Sequence, residues 1–146
     1  MKKSKPAIRT FLLDTNVLIA AIKDPTRQTS TLRLLLELIK NPGIRLVGND
    51  LLAEEMLRYA ELLKSETAAV LVSALLGKME LVGVSRNHRK ICKTYIRTPD
   101  IADALHAATC LQTGAVLITN DKHFDGIKKE GVIEVLSVSE AIKELL

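Results

Sequence analysis

Four acidic residues, far apart along the chain, stand beside or inside predicted strands and helices. Asp14 and Asp121 each follow a short apolar run, whereas Glu54 and Asp103 fall within stretches of helical spacing. If these elements bring the carboxylates together, they form a site for a divalent cation, because oxygen-only ligands select hard ions such as Mg²⁺ or Mn²⁺. Such an ion promotes phosphodiester hydrolysis by activating water and neutralising the leaving oxygen.

Gathering carboxylates without a cation is costly. Two of them about 6 Å apart repel by roughly 3 kcal/mol at an effective dielectric near 20. A divalent ion removes that penalty, so convergence of the four residues would itself indicate a metal site.

The elements that must position these residues alternate between strands and helices. Short Val/Ile/Leu-rich runs separated by helical periodicity predict a parallel sheet covered on both faces, in a three-layer α/β/α arrangement of about 4–5 strands. Because ligands bind at the carboxyl ends of the strands in such sheets, Asp14 and Asp121 are expected at one edge. The predicted strands are residues 8–13, 44–47, 81–84, 115–118 and 132–136.

The helix that carries Asp103 has the clearest sequence signals. Thr98 is placed to act as its N-cap, Pro99 occupies the first helical position, and Gly114 ends it. Ile101 is expected to face the core, with Asp103 one turn into the helix.

Composition indicates one domain spanning residues 1–146, since the 146 residues are 47% hydrophobic. Neither Cys92 nor Cys110 has the spacing of a zinc site, and both are expected to be reduced and buried. No apolar run is long enough for a membrane span, and none follows Lys2, Lys3 and Lys5 as in a signal peptide. A cytoplasmic protein with no membrane partner is expected.

The charge balance permits a polyanionic partner without requiring one, at 21 basic against 17 acidic residues. With 3% aromatic residues, a base-stacking platform is not expected, so a nucleic acid would be held through its backbone. The basic segment 86–97, and Lys128 and Lys129, could attract phosphates or simply be solvated.

Order and spacing of several motifs together resemble those of PIN-domain nucleases, and within them the toxin component of VapBC toxin–antitoxin pairs. The resemblance runs over nearly the whole chain. It rests on FLLDTNVLIA at residues 11–20, LLAEE at 51–55, DALHAATCLQTGAVLITND at 103–121, and HF at 123–124.

This resemblance implies a Mg²⁺- or Mn²⁺-dependent endoribonuclease, often a homodimer and often silenced by an antitoxin. Asp14, Asp103 and Asp121 match the family's metal-binding aspartates. The family's glutamate falls at Glu54 or Glu55, and Glu54 keeps the family spacing, with Glu55 about 100° away on a helix. Two accessory positions match as well, namely Asn16 after the first aspartate and the hydroxyl residue Thr119.

Some of these residues also have simpler explanations. Asp14 could cap the helix that follows it. Asp100, in the first turn of its helix, would stabilise the helix dipole without any metal, and we keep it as an accessory candidate. His106 and His123 could contact RNA or carry protons, although partly buried structural roles are the more common ones.

Other functions fit the pattern less well. A haloacid-dehalogenase-type phosphatase needs a second aspartate where the chain has Asn16, and a receiver domain needs a late strand-end lysine where it has Ser137. The remaining alternative is a PIN-fold module that binds RNA or protein with little or no nuclease activity.

Overall fold

The computed structural model describes residues 8–24 and 27–146, and these form a three-layer α/β/α fold. Its centre is a parallel sheet with the strand order β3-β2-β1-β4-β5. The sequence prediction of a parallel, doubly covered sheet is therefore confirmed. The strands are β1 (Arg9–Leu13), β2 (Ile44–Gly48), β3 (Met79–Leu81), β4 (Val116–Ile118) and β5 (Val135–Leu136).

Helices connect the strands and pack against one another on the two faces of the sheet. They are α1 (Thr15–Ile22), α2 (Ser30–Lys40), α3 (Asp50–Leu63), α4 (Glu66–Lys78), α5 (Arg86–Lys93), α6 (Ile101–Thr113), α7 (Asp125–Lys129) and α8 (Val138–Leu145), with a 3-10 turn at Lys122–Phe124.

Strand β1 lies at the centre of the sheet and of the core. It pairs with β2 through Phe11 opposite Leu46, and with β4 through Leu13 opposite Ile118. Phe11, Leu12 and Leu13 are buried on both faces, which explains why this strand is continuously apolar in sequence. Because β1 is clamped from both sides, the residue that follows it has a fixed position.

Three strands lie within one residue of their predicted bounds at either end, and two, β3 and β5, differ by more. β3 was expected at residues 81–84 but begins at Met79, directly after α4, which continues through Gly77 to Lys78. Met79 packs over Gly48, where a Cβ atom would collide with the methionine sulfur. The last strand was expected at residues 132–136, and only Val135–Leu136 pair with β4.

The start of α6 also differs from the prediction. Thr98 and Pro99 precede the helix, and Asp100 is its N-cap, with its side chain accepting a hydrogen bond from the Ala102 backbone N–H at 2.9 Å. An aspartate N-cap accepts a hydrogen bond from one of the first backbone N–H groups of a helix, which have no partner within the helix. Ile101, expected in the core, is 70% exposed in the first turn.

The remaining expectations concern thiols, membranes and the first residues. Cys92 and Cys110 are free and buried, as predicted. None of the helices between residues 8–24 or 27–146 is long and apolar enough to span a membrane. The basic residues Lys2, Lys3 and Lys5 lie outside the described residues.

Candidate active site

An acidic cleft lies at the carboxyl ends of the two central strands, β1 and β4. The sheet reverses its strand order between these strands, and ligands bind at such a point in open parallel sheets. Asp14 directly follows β1, and its backbone N–H donates to the carbonyl of Ile118, the last residue of β4 (3.1 Å). Asp121 lies three residues beyond Ile118, and both carboxylates line the cleft.

Thr119 connects these two strand ends. Its hydroxyl donates to Asp14 Oδ2 at 2.7 Å and accepts a hydrogen bond from the Asp121 backbone N–H at 3.0 Å. The side chain is buried, so both hydrogen bonds are shielded from water. Thr119 thus fixes the first aspartate relative to the last, which gives a structural reason for a hydroxyl residue at this position.

Asp103 enters the cleft from the first turn of α6 and meets Asp121 through His123. His123 Nδ1 lies 3.0 Å from Asp103 Oδ2 and 3.2 Å from Asp121 Oδ1. The backbone N–H of His123 also donates to Asp121 Oδ1 at 2.9 Å. One ligand atom of each residue lies within 4.8 Å of the others, so these three side chains could share an ion.

The structure does not bring Glu54 to this cleft. Glu54 is exposed on the other side of α3, in a separate depression lined by Leu51 and Val82. Glu55 lines the acidic cleft instead, where its Oε2 accepts a hydrogen bond from the Thr15 hydroxyl at 2.9 Å. The choice of Glu54 over Glu55 was therefore wrong about position.

Helix geometry explains the error. Leu52 and Met56 are fully buried and define the core face of α3. At about 100° per residue, Glu54 points some 160° or more from both of them, whereas Glu55 lies about 60–100° away, beside that face. The positions of the apolar residues around the helix, which can be derived from the sequence, predict that Glu55 and not Glu54 lies beside the core face. Motif spacing alone did not predict this.

His106, for which the sequence favoured a partly buried structural role, is a further residue of the cleft. It lies one turn after Asp103 on α6, lines the same cleft, and is 1% exposed. Its Nε2 lies 3.7 Å from Glu55 Oε2, and its Nδ1 lies 3.1 Å from Asn49 Nδ2. The spacing of three residues from Asp103 was the available signal, because residues i and i+3 share a helix face.

The accessory candidates line the cleft at its rim. Asn16, in the first turn of α1, is exposed there. Asp100 also lines the cleft, while its side chain caps α6. The capping bond is a sufficient structural reason for Asp100.

Charge in the cleft is unevenly balanced. Burial raises the pKa of Asp14, and nearby Asp121 and Glu55 add to the rise, while the Thr119 hydroxyl opposes it. Burial and the Asp121 carboxylate likewise raise the pKa of Asp103. The pKa of Glu55 is lowered instead, chiefly by His106 and also by the Thr15 hydroxyl.

The donors present fit a divalent cation. Asp14, Asp103, Asp121 and Glu55 offer carboxylate oxygens, which suit Mg²⁺ or Mn²⁺, and His123 adds an imidazole nitrogen. The raised pKa values of Asp14 and Asp103 mean that their ionised forms lack enough favourable partners in the protein alone. A bound cation would supply the missing positive charge.

A basic groove adjoins the acidic cleft, and His123 lines both of them. Among the residues that the structure describes, the cations of this groove form no ion pair with a carboxylate. One acidic residue, Glu130, also faces it. Its lining also includes Tyr95, Arg97, Lys122 and Lys129.

Comparisons with known proteins agree with this architecture. The family model described as PIN domain matches residues 11–130. No curated protein matches the chain.

Several solved structures share the fold at low sequence identity. A chain in the structure of VapBC-1 from nontypeable Haemophilus influenzae has a TM-score of 0.61 and 20% identity, covering 89% of this chain and 98% of its own. A chain in the structure of VapBC2 from Rickettsia felis, bound to a promoter DNA fragment, has a TM-score of 0.59 and 20% identity, covering 88% of this chain and 98% of its own. A chain in the structure of FitAB bound to an IR36 DNA fragment has a TM-score of 0.54 and 21% identity, covering 88% of this chain and 94% of its own.

Proposed function

The chain belongs to the PIN-domain family, and on that premise we propose that it is a divalent-metal-dependent endoribonuclease of the VapC toxin type. One observation carries the proposal: Asp14, Glu55, Asp103 and Asp121 line a single cleft at the switch point of the sheet. Burial and nearby carboxylates make the ionised forms of Asp14 and Asp103 unfavourable in the protein alone, so the arrangement points to a cation-dependent reaction.

In this proposal, Asp14, Asp103 and Asp121 hold the cation, and Glu55 completes the acidic set. When bound, Mg²⁺ or Mn²⁺ supplies activation of water for in-line attack on phosphorus and neutralisation of charge on the leaving oxygen. Thr119 holds Asp14 with its 2.7 Å hydrogen bond, and Thr15 holds Glu55 with its 2.9 Å hydrogen bond. Both hydroxyls fix carboxylate orientation before substrate arrives.

His123 has a different role in this arrangement. Its ring lies between Asp103 and Asp121 and also faces the basic groove. It is half-exposed, so it can contact a substrate phosphate from the rim of the cleft while its Nδ1 bridges the two carboxylates.

The basic groove supports a nucleic acid substrate. Arg97, Lys122 and Lys129 outnumber Glu130 there and are free to contact phosphates on one side of the scissile bond. Arg58 lines the acidic cleft on the side of Glu55 and is exposed, so it could contact the phosphate backbone beyond the cleft. Tyr95 offers one ring at the groove for a base.

A cognate antitoxin and a homodimer belong to the same proposal. Both are implied by the motif resemblance to VapC toxins, and the solved structures with this fold include VapBC and FitAB. Co-expression with the product of an adjacent gene, followed by affinity purification, tests for the antitoxin. Sedimentation of the purified chain tests for the dimer.

The central experiment is cleavage of matched RNA and DNA pools that contain structured and single-stranded segments. Mg²⁺ or Mn²⁺ is added, and EDTA and the Asp14→Asn variant serve as controls. We expect metal-dependent cutting of RNA that both controls abolish. Cutting of DNA alone, or unchanged cutting by Asp14→Asn, would overturn the proposal, and no cutting by folded protein would favour a binding module.

A further inference from the structure

A buried hydrogen-bond network behind the cleft fixes which nitrogen of His106 carries its hydrogen. The network starts at Asn49, the N-cap of α3, whose Oδ1 accepts a hydrogen bond from the Leu52 backbone N–H at 2.9 Å. This contact orients the amide, because the opposite rotamer would place two donors against each other. The amide nitrogen of Asn49 therefore points towards α6.

That amide nitrogen has two hydrogens and two partners. It lies 3.0 Å from Thr109 Oγ1 and 3.1 Å from His106 Nδ1. The Thr109 hydroxyl is already committed as a donor to the Leu105 carbonyl (2.9 Å), so its oxygen accepts from Asn49. The other amide hydrogen is then donated to His106 Nδ1, which must be unprotonated to accept it.

An imidazole that accepts at Nδ1 carries its hydrogen on Nε2. Nε2 is buried and has no hydrogen-bond partner among the described residues. The nearest acceptor is Glu55 Oε2 at 3.7 Å, somewhat beyond hydrogen-bond distance. A small rotation of the Glu55 side chain, which is only part-buried, closes that gap.

We propose that His106 is a positioning residue, which donates from Nε2 to Glu55 and orients this carboxylate for the reaction. Thr15 donates to the same oxygen, Oε2, so the two donors would hold one face of the carboxylate. Oε1, which has no hydrogen bond among the described residues, is left to face the cation or its water. The inference rests on the proposed function for its consequence, although the hydrogen position does not depend on it.

Two substitutions separate the two ends of the imidazole. In His106→Asn, the short amide can accept from Asn49 as Nδ1 does, but nothing reaches Glu55. In His106→Gln, the longer amide can donate to Glu55 as Nε2 does, but the Asn49 amide loses its acceptor.

The readout is Mn²⁺ affinity without RNA, by calorimetric titration, together with kcat and KM for RNA and the melting temperature. We expect His106→Asn to lose about 10–100-fold in Mn²⁺ affinity or kcat, as is typical for groups that orient metal ligands. His106→Gln should stay near the unaltered chain in both, with the larger loss of melting temperature. If His106 is purely structural, His106→Gln should lose more Mn²⁺ affinity and kcat than His106→Asn, because Gln leaves the buried Asn49 amide unpaired. That result would overturn the proposal.

Nuclear magnetic resonance of the metal-free protein tests the position of the hydrogen on His106 independently of whether the chain is a nuclease. Two-bond ¹H–¹⁵N spectra distinguish protonated from bare ring nitrogens, and removing His88 and His123 in turn assigns His106 among the three histidines. We expect hydrogen on Nε2 and a shift of its signal in Glu55→Gln. Hydrogen on Nδ1, or an Nε2 signal indifferent to Glu55→Gln, would overturn the inference whether or not the chain cuts RNA.

Discussion

Carboxylates are treated differently at the N-terminus of α8 and in the acidic cleft. Glu140 accepts hydrogen bonds from Lys128 Nζ at 2.7 Å and from the Ser137 backbone N–H at 3.0 Å, and with the Ser137 side chain it forms a capping box. The Lys128 ammonium and these donors lower the pKa of Glu140 to about 2. This region favours the ionised carboxylate.

The cleft does the opposite with Asp14 and Asp103. Burial raises the pKa of each, and the nearby Asp121 carboxylate adds to the rise. Thr119 and His123 offer donors, but these are too few to offset the burial of so much negative charge. The difference teaches that α8 uses a carboxylate to stabilise the fold, whereas the cleft keeps Asp14 and Asp103 at a cost to stability.

Exchanging the two adjacent glutamates of α3 should give the largest effect. We expect Glu55→Gln to slow RNA cleavage by about 100-fold or more, the scale on which losing one preorganised charge-stabilising group slows an enzyme. Glu54→Gln, the matched control on the opposite face of the helix, should cut like the unaltered chain. Initial rates with saturating Mn²⁺ measure both.

The opposite ranking would restore Glu54 as the site glutamate and would mean that the cleft seen here is not the reacting one. Equal and small effects would show that neither glutamate takes part.

Adding a divalent cation should stabilise the folded state, because it offsets the repulsion between the carboxylates of the cleft. A ligand at 100 times its Kd stabilises the folded state by about 2.7 kcal/mol, which corresponds to about 5–10 °C in melting temperature for a chain of this size. Thermal melts with Mn²⁺ or Mg²⁺ against EDTA measure this rise. It should shrink strongly in Asp121→Asn, and a full rise in that variant would place the ion elsewhere.

Removing one buried charge should stabilise the metal-free chain. Because the pKa of Asp14 is raised when folded, the folded chain binds that proton more tightly than the unfolded chain, and stability falls as pH rises from the ordinary value of 3.8 through the raised one. At neutral pH, Asp14→Asn should therefore melt a few degrees higher in EDTA, while the Thr119 hydroxyl can still donate to the amide oxygen.

The pH profile provides the control for this effect. The advantage of Asp14→Asn should disappear below about pH 3.8, where both carboxyl and amide are neutral. A variant that melts lower in EDTA at neutral pH would show that the Asp14 charge is already balanced within the protein.

The smallest effect is expected at Glu140. Its pKa is lowered when folded, so its contribution to stability is present above the ordinary value of 4.5 and is lost as pH falls towards about 2. Glu140→Gln should lower the melting temperature slightly at neutral pH and not at all near pH 2. A loss that persists unchanged at acidic pH would assign the effect to packing instead of to charge.

The sequence was sufficient for the layers of the fold and for the aspartates of the cleft. Short apolar runs such as residues 11–13 are typical of strands buried on both faces, and a parallel sheet then brings Asp14 and Asp121 to one edge. These conclusions follow from periodicity and topology, which do not depend on atomic detail.

Finer placements could not be derived in the same way. The helix of Asp103 begins after Asp100 because an aspartate cap competes with the Thr98-Pro99 signal, and single residues decide such boundaries. His106 has its partner in Asn49, which caps a different helix and also donates to Thr109, so this network exists only in the folded chain. The role of Glu55 was recoverable from the phase of Leu52 and Met56, although motif spacing suggested Glu54.

The hydrogen bond between Thr119 and Asp14 spans 105 residues, and it also dictates when the site can exist during synthesis. A nascent chain holds β1, α3 and Glu55 early, but β1 lacks its neighbour β4 until residues 116–118 have left the ribosome. Until then Asp14 has no Thr119 to hold it, and Asp121 has not been made. Translation must therefore pass β4 and Asp121 before the acidic cleft can form, and a product released before Asp103 carries only two of its four carboxylates.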